Sequence, residues 1–427
     1  MSLLSSLYTG ASGLNASSLD LSVIGDNIAN ANTIGFKGGR AAFEDALSQS
    51  LIGGVGQEGL GTQAQAVRAL FTQGSLASTG VATDLALQGN GFFVVKGGHG
   101  GQQGSYYTRA GQFSLDKSGY LVNLDGLRVQ GFPAGPGGAV GGGLDDLRLG
   151  NASAPPRATG NVTVRGNLQS DAPAVPAWDP TKADATSNFS TSTTVYDSLG
   201  TAHDVQVYFR KTGAGAWEYH AMTDGAGVSG GTAGTKSEIA AGTMSFDTLG
   251  KLTAQTQTGS FTPAGAASPQ ALVLNFGDST GAGGTGLGGL TQFAAPSATT
   301  FLGQDGATAG DLSGIRFETD GKVTGTFSNG ETRVLGQVAV ATFSAPDQLA
   351  RVGGNLYTRT PQGGDPSVGG AGTGGRGTIT GGALEQSNVD LASEFVRMIS
   401  AQRGFQANSK TVQTADSLLQ ELIQIKR

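Results

Sequence analysis

Apolar residues recur at helical spacing at both ends of the chain. Near the N-terminus their spacing places them on one stripe of a helix: Leu4, Leu7, Ala11, Leu14, Leu21 and Ile28. A second stripe, interrupted mainly by Glu394 and Asn408, lies near the C-terminus: Leu391, Met398, Ala401, Phe405, Val412, Ala415, Leu419 and Leu422. The pattern predicts one helix at each end of the chain.

The predicted C-terminal helix begins near Asn388 and continues to the end of the chain. Ser387 or Asn388 can cap its first amides, and Asp390 complements the positive end of the helix dipole. Such a helix would contain about 40 residues and extend roughly 60 Å. It is too long to pack on one small core.

The predicted N-terminal helix is weak by itself. Gly10, Gly13 and Gly25 each cost a helix about 1 kcal/mol relative to alanine. Burial of one leucine returns roughly 1.5–3 kcal/mol, so packing of the apolar stripe against a partner would outweigh these costs. We therefore expect this helix to be marginal or disordered alone and to fold on contact.

Between the ends, apolar and polar residues alternate with a period of two, which predicts short strands separated by turns. Asp320-Gly321 and Asn329-Gly330 predict two hairpins. A third hairpin is predicted around 197–200, with Val205, Val207 and Phe209 on one face. The predicted fold class is mainly β with α-helical coiled-coil termini, in which β domains are inserted between discontinuous N- and C-terminal helical segments.

These changes in apolar spacing and composition predict four parts of the chain. Pro- and Gly-rich stretches near 133–143 and 281–289 mark the ends of an inserted block. Residues 1–30 and 385–427 are the terminal helices, which form an inner coiled-coil domain. Residues 31–70 are a connecting segment, 71–150 and 312–384 form an inner β domain, and 151–311 form an inserted outer β domain.

Composition narrows the function classes. The 73 glycines and the 14% of charged residues are typical of a turn-rich β protein. A net charge of -6 argues against a nucleic-acid partner. Cysteine is absent, so there is no disulfide, thiolate metal site or cysteine nucleophile. The first residues carry neither a basic nor an apolar signal region, and no run of 18 apolar residues occurs. We expect a protein that does not span a membrane and is exported without a cleaved signal peptide.

No constellation of catalytic residues is recognisable. The histidines, His99, His203 and His220, are far apart and belong to no metal-binding spacing, so each is interpreted as a surface or turn residue. The GNG at 89–91 lacks the third glycine of a phosphate loop and is interpreted as a tight turn before a strand. The glycine run from Val368 lacks a calcium-ligating aspartate and is interpreted as a flexible linker. We predict no enzyme activity, no cofactor and no metal site.

The segment NIANANTIGFK, residues 27–37, resembles the signature NxANxxTxGFK of the flagellar rod and hook family. The matching positions are Asn27, Ala29, Asn30, Thr33, Gly35, Phe36 and Lys37. TDLALQGNGFFVV, YTRAGQF and the segment from Ser387 are also similar to the family. From the residues alone, Asn27, Asn30 and Asn32 can hydrogen-bond to local backbone where a helix ends, and Gly35 can adopt a positive φ.

The resemblance implies a structural subunit that polymerises into a flexible tube and transmits torque from rod to filament. The large insertion at 151–311 favours a hook member of the family, and the distal rod member is the alternative. The implied partners are further copies of the chain in a helical homopolymer, the distal rod protein, the hook cap and hook–filament junction proteins, and the flagellar export apparatus. The implied location is extracellular, on the flagellum. An alternative from another class is a secreted glycine-rich β adhesin, a stable monomer whose terminal helices belong to its core.

We expect the two terminal helices to pair as a coiled coil that lines a central channel. Leu4, Leu7, Leu14 and Leu21 would then meet Met398, Phe405, Val412 and Leu419, with Ile28, Leu391 and Leu422 extending the same surface. These residues are the predicted self-assembly residues. The family signature, including Asn32, lies between the helices and the first β domain, where the resemblance implies a turn that aims the helix inward and the β domain outward.

Overall fold

A computed structural model describes residues 3–47, 59–135, 137–150 and 152–425 of the chain. The chain folds as two compact units. Unit 1 comprises Met1–Asn151, Gly314–Gly325 and Thr332–Arg427, and unit 2 comprises Ala152–Ser313 and Thr326–Glu331.

Two long helices flank the strands, as predicted. The helices are α1, Leu3–Ala29, and α2, Leu391–Ile425. The strands are β1 Gly39–Leu47, β2 Gly59–Ala69, β3 Leu76–Ser78, β4 Leu85–Gln88, β5 Phe92–His99, β6 Gln102–Thr108, β7 Ser114–Leu115, β8 Leu121–Val122, β9 Arg128–Pro133, β10 Asp145–Asp146, β11 Ser153–Ala154, β12 Asn161–Asn167, β13 Phe189–Tyr196, β14 Ala202–Gly213, β15 Ala216–Asp224, β16 Lys236–Phe246, β17 Leu252–Gln255, β18 Val273–Asn275, β19 Leu290–Thr291, β20 Ala298–Gln304, β21 Gly310–Phe317, β22 Lys322–Phe327, β23 Thr332–Thr342, β24 Ala350–Gly353, β25 Leu356–Thr358, β26 Ser367–Gly370, β27 Thr378–Gly381 and β28 Ala383–Glu385. The mainly β fold class with a helix at each end is confirmed.

The start of α2 differs from the prediction. The helix is capped by Asp390, whose carboxylate accepts hydrogen bonds from the amides of Ala392 at 3.2 Å and Ser393 at 3.3 Å. The predicted start near Asn388, and the assignment of residues from Glu385 to the terminal helix, are therefore wrong. Glu385 is instead the last residue of strand β28, and its buried side chain pairs with Lys37 inside the β part of unit 1.

The core of unit 1 lies on a long sheet, in which strands follow the order β22-β23-β9-β5-β6-β25-β24. Its buried side chains include Phe93, Val95, Val129 and Val340. The two hairpins predicted at Asp320-Gly321 and Asn329-Gly330 are confirmed, because β21, β22 and β23 are consecutive neighbours. The tight turn predicted before FFVV is also present, and Gly89 and Gly91 both have positive φ.

The segment 31–70, predicted to be a connecting segment, contains two long strands. β1 and β2 pair as an antiparallel hairpin, from Gly39 opposite Ala69 to Leu47 opposite Gly59. The hairpin also packs on α1: the amide of Thr62 donates to the hydroxyl of Ser12 at 3.1 Å. Residues 48–58 lie outside the described part of the chain.

The glycine run from Val368 is not a flexible linker. Val368 lies in β26, opposite Ala341 of β23, and Thr378 lies in β27, opposite Gln88 of β4. Between them, Gly372 and Gly375 adopt positive φ in a turn. The glycines are required by this turn, so the interpretation as a linker is wrong.

Unit 2 packs a five-stranded antiparallel sheet, ordered β13-β14-β15-β16-β17, against a sheet formed by β18, β12, β19 and β20. The third predicted hairpin is confirmed as β13 and β14, and Val205, Val207 and Phe209 are buried on its inner face. The tip of the β22–β23 hairpin also belongs to this unit, whereas the sequence division placed it within 312–384. Its Asn329 Nδ2 donates to the carbonyl of Thr308 at 2.7 Å.

Two of the histidines are interior or stacked residues. His203 is buried and lies 3.2 Å from the carboxylate of Asp197. His220 stacks on Trp178 with ring centroids 4.1 Å apart. The interpretation of both as surface or turn residues is therefore wrong, and each has a packing role. Within the described residues, no three His, Cys, Asp or Glu side chains are placed to hold a metal ion. Among those residues, no helix has the length and apolarity needed to cross a membrane.

Candidate self-assembly site: the helix pair and its joint

Helices α1 and α2 lie side by side in antiparallel orientation, and we call them the helix pair. Asp20 of α1 faces Arg397 near the start of α2, with 3.8 Å between the carboxylate and the guanidinium. Toward the other end, Gly10 faces Val412. The two ends of the chain are therefore brought together within one subunit.

The close approach of the two helices depends on small residues of α1. A Cβ atom at Gly10 would lie 2.8 Å from Cγ2 of Val412, and one at Gly13 would lie 2.5 Å from Nδ2 of Asn408. Both distances are shorter than ordinary van der Waals contact. At Gly10 the neighbour is a stiff β-branched side chain, so the observed spacing requires glycine there, whereas at Gly13 a methyl group would displace the flexible Asn408 side chain. By helix propensity alone, these glycines are only penalties to α1. The regular spacing of small residues along α1, at Gly10, Gly13 and then Ser17 opposite Gly404, is the sequence feature that indicates this close approach.

The predicted self-assembly residues occupy two kinds of position on the helix pair. Half-buried side chains are Leu7, Leu14, Leu21, Ile28, Met398, Val412 and Leu419. Leu391 and Phe405 are more exposed, at 42% and 40%. The side chains of Leu4 and Leu422 lie outside the described part of the chain. The buried residues that prediction missed are Val23 and Ile24, which lie where α1 meets the β1–β2 hairpin.

An apolar row on α2 is left about half exposed by the described residues of the chain. Leu391, Phe395 and Ile399 recur every four residues, so they lie above one another on one side of the helix. Phe395 is 50% exposed and Ile399 is 52% exposed. Phe405 lies between this row and the contact with α1, because residue 405 is within a third of a turn of both. We call Leu391, Phe395, Ile399 and Phe405 the apolar row.

The family signature forms the joint between α1 and the β part of unit 1. Asn27 is buried and bonds both ways to Gly39: its Oδ1 accepts from the amide at 2.7 Å, and its Nδ2 donates to the carbonyl at 2.9 Å. Asn30 closes the helix end by donating to the carbonyl of Asp26 at 2.9 Å, and Thr33 donates to Asn30 Oδ1 at 3.1 Å. Asn32 is exposed. The signature thus both ends the helix and attaches it to β1.

Gly35 has the positive φ that the sequence predicts, +69°. Its amide donates to the carbonyl of Glu385 at 2.8 Å. A Cβ atom at this position would lie 2.5 Å from the amide nitrogen of Ala110. Glycine is therefore required twice, by its backbone conformation and by the approach of another segment.

Lys37 at the end of the signature belongs to a buried ion cluster with Arg109 and Glu385. Its ammonium lies 2.6 Å from Oε1 of Glu385, and Arg109 Nη1 lies 3.2 Å from Oε2. The same carboxylate accepts from Gln73 Nε2 at 2.7 Å and from the amide of Gly74 at 2.9 Å. One carboxylate thus joins four segments of unit 1.

The charges of this cluster are stabilised by one another. Burial lowers the pKa of Lys37, and the hydrogen bond and charge of Glu385 oppose this effect. Burial also lowers the pKa of Arg109, again opposed by Glu385. Lys37 further donates to the carbonyl of Thr72 at 2.8 Å. An arrangement with these bonds is suited to fix geometry rather than to exchange protons or bind a ligand.

Asn388 completes the joint immediately before α2. Its Oδ1 accepts from the amide of Gly38 at 2.8 Å, and its Nδ2 donates to the carbonyl of Leu70 at 2.7 Å. The prediction gave Asn388 a role at the helix start and gave Arg109 and Glu385 no role. Both of the latter lie in or beside segments noted as similar to the family, but their pairing has no local signal.

Sequence models of four families match successive parts of the chain. They are described as flagella basal body rod protein, residues 7–37, flagellar hook protein FlgE/F/G D1 domain, residues 86–169, flagellar basal body protein FlaE D2 domain, residues 167–307, and flagellar basal body rod FlgEFG protein C-terminal, residues 380–425.

Full-length relatives are also similar to this chain. The flagellar hook protein FlgE of Escherichia coli is 36% identical over 97% of this chain and 98% of its own length. That of Treponema pallidum is 34% identical over 99% of both chains. A crystal structure of the Helicobacter pylori flagellar hook protein FlgE2 has a TM-score of 0.48 at 16% identity, covering 73% of this chain and 100% of that chain.

Proposed function

Because the chain belongs to the flagellar hook protein FlgE family and is a non-enzymatic structural subunit of the hook, we propose that it polymerises through the helix pair. In this proposal the helix pairs of successive copies pack together along the inside of a tube. The tube acts as a flexible joint that transmits torque from rod to filament.

One observation carries the proposal: among the described residues, the helix pair leaves the apolar row about half exposed to solvent. Large apolar side chains aligned on one helix are unfavourable in water, and because each of these is about half exposed, burying the remainder would contribute about 1 kcal/mol per side chain. A second copy of the chain supplies suitable apolar surface, because homopolymerisation is the property of this family. Phe405 and Leu391 are then self-assembly residues through contact between copies, in addition to the pairing of α1 with α2.

The polymer must be open rather than closed. When one surface of a subunit contacts a different surface of the next, each contact rotates one copy relative to its neighbour. The copies form an open helical polymer if these rotations do not close the chain of subunits into a ring. The buried ion cluster and the bonds of Asn27 and Asn388 hold the helix pair on the β part of unit 1. Within unit 1, torque is thus passed between the helix pair and the β part through a fixed joint, and bending takes place at contacts between copies.

We further propose the partners and the route of this subunit. The ends of the tube contact the distal rod protein, the hook cap and the hook–filament junction proteins, and the chain is delivered unfolded by the flagellar export apparatus. The weak helix propensity of α1 and the absence of cysteine suit passage of an unfolded chain. The alternatives of a distal rod protein and a secreted adhesin are not favoured, because relatives matched over nearly the full length are hook proteins.

Hydrogen exchange on the dilute protein, followed by electron microscopy after concentration, tests the proposal. We expect fast exchange in α1 and α2 of the monomer, tubes after concentration, and protection of both helices in the tubes. Slow exchange throughout a monomer that never forms tubes would contradict it. A helix pair that exchanges equally fast in tube and monomer would exclude it as the polymerisation surface.

A further inference from the structure

Unit 2 contains two copies of one turn. Both have the sequence Asp, Ser or Thr, Leu, Gly, and we call residues 197–201 the Leu199 turn and residues 247–251 the Leu249 turn. In the first, Asp197 Oδ1 accepts from the amides of Leu199 and Thr201, both at 2.9 Å. In the second, Asp247 Oδ1 accepts from the amides of Leu249 at 2.9 Å and Lys251 at 2.8 Å.

Each turn holds its leucine outward. Gly200 and Gly250 have φ of +85° and +77°, which completes the same backbone conformation in both turns. Leu199 is 65% exposed and Leu249 is 66% exposed. An aspartate that binds two amides fixes the turn, so the leucine is presented without a large entropy cost on binding.

The two leucines lie at opposite ends of the five-stranded sheet. Strand β14 begins just after the Leu199 turn and ends at Gly213. The amide of Phe246, next to the Leu249 turn, donates to the carbonyl of Gly215 at 2.7 Å, which places that turn beside the far end of β14. Twelve residues of extended chain separate the two ends by roughly 35–40 Å.

A cavity adjoins the Leu249 turn. It has a volume of about 500 Å³, and its apolar lining includes Leu249, Phe293 and Ala294. Phe293 is 45% exposed and packs beside Gly250. The charged groups at the cavity are engaged elsewhere: Lys211 donates to the carbonyls of Ser170 and Ala172, and Asp247 holds its turn. The cavity therefore suits an uncharged guest that combines an apolar side chain with polar backbone groups, because its lining also includes Ser170, Thr248 and Gln292.

The opposite end of the same unit presents such a group. Ser198, Leu199 and Gly200 carry no charge, and the carboxylate of Asp197 is buried beneath them. We infer that the Leu199 turn of one copy seats in the cavity beside the Leu249 turn of the next copy. This inference rests on the proposed polymerisation, since it requires copies to be stacked. It adds a second contact, in unit 2, between two different surfaces, as an open polymer requires.

The character of the contact suits a joint that bends. Apolar burial has no preferred direction, so a leucine can shift within a cavity larger than itself without breaking a hydrogen bond. One side chain per copy is a small contact, and the helix pair remains the main source of affinity. The contact of unit 2 therefore sets the spacing of neighbouring copies and is not required for polymerisation.

Cross-linking tests this inference directly, because the natural chain contains no cysteine. The double variant Leu199→Cys with Ala294→Cys cannot form a bridge within one copy, since the two positions lie at opposite ends of the sheet. In tubes, mild oxidation should link copy to copy into a ladder of covalent multimers. The control is Leu199→Cys with Ala254→Cys, in which Ala254 is exposed on β17 outside the cavity.

The expected result is a ladder that forms roughly 10²-fold faster from tubes of the test variant than from its dilute monomer, and faster than from control tubes. Tubes that give no ladder, or the same ladder as the control, would overturn the contact and leave the proposed function standing. Failure of the unsubstituted chain to form tubes would overturn both.

A second variant makes the test independent of cysteine chemistry. Leu199→Asp places a charge in the cavity of the next copy, whereas Leu199→Ser removes the apolar group without adding charge. Tubes of Leu199→Asp should dissociate at a lower temperature than tubes of Leu199→Ser, and both at a lower temperature than unsubstituted tubes. Three identical dissociation temperatures would overturn the contact.

Discussion

The ammonium of Lys37 lies 2.6 Å from Oε1 of Glu385, 348 positions further along the chain, and neither side chain is exposed to solvent. The pair fastens the end of the N-terminal signature to the strand that precedes α2. Because Arg109 shares the same carboxylate, Glu385 is the single counter-charge for two buried cations among the described residues. The stability of the joint should depend on it.

Glu385→Gln should destabilise unit 1 by about 3–5 kcal/mol, because it leaves Lys37 and Arg109 buried without a counter-charge. The loss should shrink as the pH is raised toward 10, since the pKa of Lys37 is already lowered by burial and the neutral amine is cheaper to bury. Denaturant unfolding at several pH values measures both effects. Asp365→Asn, which breaks an exposed pair with Arg359, is the control and should change stability by less than about 1 kcal/mol. Equal effects of the two substitutions would contradict the prediction.

Gly35→Ala should destabilise unit 1 by about 3–5 kcal/mol, because the methyl group meets the backbone of Ala110 and the positive φ disfavours any side chain. Gly80→Ala is a matched control. Gly80 has nearly the same φ, +71°, but no atom within 4 Å of a built Cβ, so only the backbone cost of about 1–2 kcal/mol should remain. Thermal unfolding of both variants separates the cost of the steric clash with Ala110 from the cost of the positive φ. A Gly35→Ala variant no weaker than Gly80→Ala would show that the segments are not closely packed.

The contacts of Lys37 with Glu385 and of Gly35 with Ala110 show what the sequence could and could not predict. The requirement for positive φ at Gly35 was predicted, because it is a local property of a turn after a helix. The approach of Ala110 was not, because it depends on where a distant segment lies. Likewise Lys37 was recognised as part of the signature, but nothing near it in the sequence identifies Glu385 as its partner.

The helix ends illustrate the same distinction. The apolar spacing of residues such as Leu7 and Leu14 predicted α1 because periodicity is local. Gly10 and Gly13 were counted as penalties, since their benefit exists only when Val412 and Asn408 of α2 are opposite them. The β1–β2 hairpin was missed because its strands are mostly exposed and rich in alanine and glycine, so they lack the apolar alternation that predicts a strand.

Protonation of Asp305 should make unit 2 less stable in acid. Burial by itself raises the pKa of this carboxyl, but hydrogen bonds from Asn161 and from the amide of Gly160 outweigh burial and hold the pKa below 3.8. Its stabilising contribution is therefore complete above about pH 3.8 and is lost as the pH falls through the lowered folded value. Asp305→Asn should lower the melting temperature near pH 6 by roughly 2–6 °C, because the amide nitrogen that replaces Oδ2 cannot accept from Asn161 Nδ2.

Thermal unfolding of both proteins between pH 6 and pH 2.5 checks this dependence. The variant should lose less stability over the acid range than the unsubstituted chain, so the melting temperatures of the two proteins should converge as the pH falls. A constant difference in melting temperature over this pH range would show that the carboxylate of Asp305 does not contribute to the acid sensitivity of unit 2.

Alanine substitutions at two glycines of α1 should have opposite effects on the helix pair. Gly25 has no atom within 4 Å of a built Cβ, so Gly25→Ala should gain the full helix propensity, about 1 kcal/mol. At Gly10 the new methyl group meets Val412, and a clash of about 1–3 kcal/mol should cancel or exceed the same gain. Helicity by circular dichroism and exchange rates of the α1 amides compare the variants. An equal gain at both positions would show that the helices are not in close contact at Gly10.

Substitution of the helix pair should separate polymerisation from folding. Phe405→Asp removes apolar surface and adds a charge that burial between copies would disfavour, so the concentration needed for tubes should rise by roughly 10²-fold or more. Leu14→Asp should likewise abolish tubes under the conditions used for the unsubstituted chain. Unfolding of the β parts should be unchanged in both variants, because α1 and α2 lie outside the buried clusters of the sheets.

Gln406→Asp is the matched control, because it adds the same charge at an exposed polar position beside Phe405. Tubes from this variant and none from Phe405→Asp would locate the effect in the apolar row rather than in the net charge of α2. If Phe405→Asp and Leu14→Asp both form tubes at the normal concentration, the helix pair does not hold the polymer together. The half-exposed apolar row would then need another occupant, and the contact between copies would have to lie on the β surfaces alone.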